Sequence, residues 1–216
     1  MKTSLSDRDQ LKEFIVKKDH PCLMSQSILK SGNYELKSYG ELGSLQAAKQ
    51  LLADLGQYLG EYDFNTNDFF SFIAVFDSPL QMEEIQFEQL LWKHLQLVHE
   101  CDPEAWDETV SSDPKDSTFS FSILGHAFYV VGMHPESSRA ARSAPKPTLV
   151  FNLHWQFEQL RKMGSYSRIR TSIRNRDLKK NGSINPMLVD FGHKSEAQQY
   201  SGRAVEANWE CPFKHK

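Results

Sequence analysis

Cysteine is scarce in this chain of 216 residues: Cys22, Cys101 and Cys211 are far apart, odd in number and without a CxxC pair. That pattern argues against a disulfide framework and against a cysteine-based zinc or redox motif, so reduced thiols are expected. No apolar run approaches the roughly 18 uninterrupted residues that a membrane span needs, and the opening MKTSLSDRDQLKEF has no apolar core of a secretory signal. No membrane partner and a cytoplasmic address are the expectations. A large charge of one sign is lacking too. The formal net charge of −3 creates no overall field toward nucleic acid, and only Tyr166 is interleaved with basic residues as a stacking aromatic would be, so no nucleic-acid partner is expected. Finally, GxxxxGK[ST], GxGxxG after a strand, GxSxG and HExxH are all absent, which removes the motif-level case for nucleotide, dinucleotide, serine-hydrolase and zincin chemistry.

What is present suits a globular domain. A hydrophobic share of 39% beside 25% charged residues is enough apolar material, at this length, for one core without metals or disulfides, so a single domain over residues 1–216 is expected. Apolar residues at Leu45, Ala48, Leu51, Leu52, Leu55, Tyr58 and Leu59 fall on one stripe and predict a helix over residues 44–62. Residues 68–76 are aromatic and β-branched and predict a buried strand; residues 85–99 predict a second amphipathic helix, with Glu83 and Glu84 suited to its positive end. Residues 102–116 read as a surface loop or linker. Phe119-Ser120-Phe121 and residues 127–131 flank Leu124-Gly125-His126 as a hairpin would. Residues 148–152 predict a strand that turns into a helix over 155–161, with His154 at the corner, and Ile169 and Ile173 mark a further short helix crowded by arginines. The fold class predicted is α+β: a single mixed domain with a central, mainly antiparallel sheet flanked by helices.

The chemistry-bearing residues gather in the second half. His134 follows a strand, and strand-end loops commonly carry sites; the alternative is a histidine that caps the strand. His154 sits among Leu153, Trp155 and Phe157, an environment that can hold a macrocycle, or simply a core histidine bonded to a carbonyl. Arg139, Arg142 and Arg161 are suited to bidentate capture of carboxylates, although such arginines are often only solvated or paired. Cys22 and Cys211 both adjoin prolines, and a thiolate is an axial ligand for oxygen-activating heme. Glu136, Glu158, Asp177, Asp190 and Glu196 are the carboxylates available to a cationic substrate.

Taken together, several segments resemble the YqcI/YcgG family: Val131-Gly132-Met133-His134-Pro135, the run from Thr148 through Asn152-Leu153-His154-Trp155-Gln156-Phe157-Glu158 to Arg161, Ile173-Arg174-Asn175-Arg176-Asp177, Gln199-Tyr200-Ser201-Gly202-Arg203 and Trp209-Glu210-Cys211-Pro212-Phe213. The family's Phe-Pro-Cys element is represented by His20-Pro21-Cys22, with histidine replacing phenylalanine, and Arg142 is followed by Ser143 where a second arginine is usual. The resemblance implies heme b and an enzyme, a heme-dependent N-oxygenase that hydroxylates a guanidine or amine nitrogen of a small amino-acid-like substrate with dioxygen and an electron donor. On that reading His154, His134, Cys211 or Cys22 ligates iron. Arg139, Arg142, Arg161 and Trp155 contact the cofactor, and Glu158, Glu196 and Asp177 serve the substrate. The alternatives are a non-catalytic heme sensor or carrier, and a heme-free domain for an anionic metabolite. A homodimer is left open.

Overall fold

Five strands form one sheet in the order β1 (Tyr34–Glu41), β2 (Ser71–Ser78), β5 (Thr148–Leu153), β4 (His126–Met133) and β3 (Phe121–Ile123) in a computed structural model that describes residues 5–66 and 68–215. β1 and β2 run parallel, and α3 (Leu45–Glu61) provides the crossover that parallel neighbours require. Every other pair is antiparallel. The mixed, mainly antiparallel sheet expected from the sequence is thus present. Its hairpin turns at Leu124-Gly125, both at positive φ (52° and 73°), the backbone that a two-residue turn between twisted strands requires.

Strand alternation divides the core into two layers. Phe72, Ala74, Phe76, Phe128, Val130, Leu149 and Phe151 point to one face and meet α3 and α4 (Glu84–Cys101), with Trp92 stacked on Tyr200 at 5.6 Å. Packing here is close enough that Gly132 has no room for a side chain: an added Cβ would lie 2.6 Å from Leu91 and 2.8 Å from the Tyr200 carbonyl. Ile73, Val75, Val131, Met133 and Val150 point to the opposite face. They meet Leu11, Phe14, Ile15, Ile28 and Leu29 from α1 (Asp7–Lys12), the π-helical turn that follows it (Glu13–Lys17) and α2 (Leu23–Ser31).

Five elements were absent from the sequence reading: β1, the three N-terminal helical segments and the short α7 (Ala197–Tyr200). The helices anticipated over 155–161 and 168–176 lie inside the longer α5 (His154–Lys162) and α6 (Tyr166–Asn181). Residues 102–116 are not a linker. Trp106 packs on Phe119 and Phe121, and the Asp107 carboxylate accepts the N–H of Ala127, so the segment is fastened to the hairpin. No helix among the described residues is long and apolar enough to cross a membrane.

Candidate functional site

The second sheet face is not filled. Between its strands and α2, α5 and α6 lies a cavity of about 320 Å³, within the size range of small-molecule sites. Its floor follows from alternation: Ser71 and Ile73, Tyr129 and Val131, Val150 and Asn152 share the strand phase opposite to the packed phenylalanines. Ser71 donates to the Asn152 side chain at 2.7 Å, and Tyr129 donates to Gln199 at 3.0 Å, so the polar part of this floor is held in place.

His154 is the first residue of α5, directly after β5, and its ring packs against Phe191 with centroids 4.4 Å apart. It lines the cavity, and its buried Nε2 has no hydrogen-bond partner. Burial lowers its pKa below the usual imidazole value, against the opposing pull of Glu158, so the ring is neutral near pH 7. A neutral imidazole with an unused nitrogen beside an apolar cavity has the form a metal ligand requires. Cys22, the N-cap residue of α2, lines the same cavity. Its backbone N–H donates to His20 Nδ1 at 3.1 Å, while His20 Nε2 bonds the Ala141 carbonyl at 2.8 Å. Burial pushes His20 down to about 4, so it serves as a neutral brace for the Pro21-Cys22 turn.

The other two proposed iron ligands lie elsewhere. His134 follows β4 as expected, but its ring stacks on Phe87 of α4 at 4.5 Å, against the packed face. Cys211 packs against the large core, where burial pushes its thiol up to about 12. Trp155 joins Tyr62 and Phe64 in an aromatic group away from the cavity lining.

Arg139, Arg142 and Arg161 all reach the cavity, with different degrees of freedom. Arg139 is paired with Asp177, which also accepts from the Asn181 side chain and the Asn185 N–H; this carboxylate is saturated and structural. Arg142 is buried and spends its donors on the carbonyls of Gly132, Tyr200 and Gln199, at 2.8, 3.2 and 3.2 Å. Its pKa is lowered by burial, and the bonds clamp α7 to β4. Arg161 pairs with Glu158 of its own helix and lies over Tyr166, 4.6 Å from the ring centroid. Glu158 is not among the lining residues, whereas Glu196 is. Burial pushes Glu196 up to about 8, opposed by the Ser120 hydroxyl, the Arg161 charge and the Tyr200 hydroxyl, so it holds a proton at pH 7. Tyr129, Asn152, Gln199 and Phe191 were not foreseen; strand alternation could have indicated the first two, but nothing local marks the others.

A heme would fit this donor set. One neutral imidazole, apolar walls and several arginines are what a porphyrin needs from a protein, and a single protein ligand suffices to hold its iron. No group of three or more metal-ligating side chains occurs among the described residues.

Comparison with known proteins gives a family and distant relatives. The model of the YqcI/YcgG family matches residues 11–214. The chain is similar to two Bacillus subtilis (strain 168) proteins: it is 25% identical to the one described as uncharacterized protein YcgG, over 90% of this chain and 81% of that one. It is 26% identical to the one described as uncharacterized protein YqcI, over 89% of this chain and 80% of that one. No solved structure matches.

Proposed function

The chain belongs to the YqcI/YcgG family, and from that premise we propose that it is a cytoplasmic, heme-dependent N-oxygenase whose cavity holds a b-type heme on His154. The observation that carries the proposal is the buried, unpartnered Nε2 of His154 beside an apolar cavity of about 320 Å³. An imidazole left without a hydrogen bond costs stability unless a ligand completes it, and iron is a ligand that a lone neutral histidine can hold.

A heme held by His154 would supply dioxygen activation for N-hydroxylation, in which N–H would become N–OH and the second oxygen atom would leave as water, with two electrons and two protons from a donor. The rest of the work belongs to the chain. The apolar walls, among them Val131, Val150, Phe157 and Leu160, exclude water from the reacting nitrogen. Glu196 is the lining carboxyl left to meet a guanidine or amine, because Asp177 is saturated by Arg139, Asn181 and Asn185, Asp190 is paired with Arg170 and Arg174, and Glu158 is paired outside the lining. Ionised, it would bind the substrate cation; protonated, it can give its proton to a group formed beside it. Tyr129 and Gln199, joined by their own hydrogen bond, border the same region and would orient a polar substrate.

A second reading has its own support: Cys22 lines the cavity as well, so His154 and Cys22 could together hold the iron and make the protein a heme sensor or carrier. Titration of the purified protein with hemin separates the readings. A stoichiometric, five-coordinate spectrum lost in His154→Ala and retained in Cys22→Ala is the expected result, and N-hydroxylated product from arginine-like substrates completes it. A six-coordinate spectrum sensitive to both substitutions favours the sensor. Hemin that fails to bind folded protein ends both.

A further inference from the structure

Eight buried side-chain atoms among the described residues have no hydrogen-bond partner, and two of them belong to residues that line the cavity: His154 Nε2 and Arg170 Nε. The second is not explained by iron ligation. We propose that Arg170 and Arg174, on the α6 wall of the cavity, form the binding site for a carboxylate carried by an apolar ligand. This rests on the cavity being the ligand site and adds the chemistry of one wall.

The argument begins with charge. Arg170 and Arg174 share a single carboxylate, Asp190, and the nearby Arg161 has Glu158, so three guanidinium groups stand against two carboxylates. Arg174 is only loosely engaged with Asp190, at 3.4 Å, and its closer bond is to the Leu188 carbonyl at 2.9 Å. Neither Arg139 nor Arg142 can take an acid group as readily, because Asp177 and three backbone carbonyls already occupy them. The cluster is also positioned in advance. Arg170 lies 5.8 Å from the centroid of the Tyr166 ring, which restrains it, and Arg174 is held by its bond to the Leu188 carbonyl. Guanidinium forks match a carboxylate through paired N–H bonds, and a preset pair forfeits little side-chain freedom on binding. Finally, Ile169 and Ile173 of the same helix line the cavity, as does Phe191, so the ligand's acid group is joined to an apolar body. The acid could come from a porphyrin propionate or from a free apolar carboxylic acid.

The test uses metal-free protoporphyrin IX, whose binding does not depend on an iron ligand, against its dimethyl ester, with binding followed by quenching of tryptophan fluorescence. Wild type is expected to prefer the diacid by about tenfold or more, the effect of one charged hydrogen-bonded pair. The Arg170→Gln/Arg174→Gln variant is expected to lose that preference, whereas Arg168→Gln, an exposed arginine of the same helix, keeps it. Equal binding of acid and ester by wild type, a comparison that needs no variant to fold, overturns the proposal, as does a preference that survives the double substitution. If metal-free porphyrin does not bind, the heme reading is decided by the hemin titration, and the acid site by dodecanoate against methyl dodecanoate. An arginine-dependent preference for the acid sustains the site with a free acid as its source, and its absence overturns it.

Discussion

The two faces of the sheet are finished in opposite ways. The face under α3 and α4 is filled by buried strand side chains and closed by stacked Trp92 and Tyr200, down to a glycine with no room for a methyl group. The other face leaves a cavity and covers it with α6, a 16-residue helix in which Asp177 is the buried residue. Unpartnered polar atoms occur on both. His94 of the packed face has an orphaned Nε2 as well, but its ring lies against Phe76 and it does not line the cavity, so nothing can reach it. An orphaned atom therefore suggests a site only where space adjoins it, and that is what distinguishes His154 from His94.

This contrast can be broken by stability measurements. Trp92→Ala should lower unfolding free energy by about 3–5 kcal/mol in urea titration, because its site cannot collapse. Ile173→Ala, at the half-buried cavity wall, should cost less than about 1.5 kcal/mol. Similar losses at both positions would abolish the distinction between a packed and an open face. Gly132→Ala should cost about 1–3 kcal/mol through overpacking, since one of the contacts it creates is with the backbone carbonyl of Tyr200, which cannot swing aside.

Titration sharpens the contrast further. Glu196 carries a raised pKa in the fold, about 8 against 4.5, so the folded state keeps a proton that the unfolded state loses. Its contribution is fully present below pH 4.5 and is lost as pH rises through about 8. Glu196→Gln should flatten that decline in denaturation measured between pH 5 and 9, and an unchanged slope would show that the carboxyl is solvated. His20 and His94, each pushed by burial from 6.5 to about 4, act in the opposite sense: their contribution is present above pH 6.5 and lost as pH falls through about 4. The smallest effect on stability is expected at His154. Removing its ring forfeits no hydrogen bond at Nε2, so His154→Ala should change unfolding free energy by less than about 1 kcal/mol while eliminating hemin binding.

The legible parts of the fold were those with a strong local period. The stripe from Leu45 to Leu59 and the apolar run from Phe72 to Phe76 could be placed because each buries a face or a whole segment. β1 could not: it is an edge strand in which only Tyr34 and Tyr39 are buried, and those two point to opposite faces. α6 was underestimated for a related reason, since its arginines and lysines bury little and its length depends on partners distant in sequence, such as Asp19 and the carbonyls of Lys18 and Pro21. Of the proposed site residues, His154, Cys22, Arg139, Arg142, Arg161, Asp177 and Glu196 share the cavity lining, whereas His134, Cys211, Trp155 and Glu158 do not.

By itself, then, the sequence determined the periodic elements, the strand-to-helix corner that holds His154 and the arginine-rich character of the second half, because each is written in neighbouring residues. Only the tertiary structure decided which of those groups are free to act. Arg142 is occupied by carbonyls as far as 58 residues away, and Asp177 is saturated by Arg139 at a separation of 38. A side chain's type is local, but whether its hydrogen bonds and charge are already engaged depends on what the folded chain brings beside it.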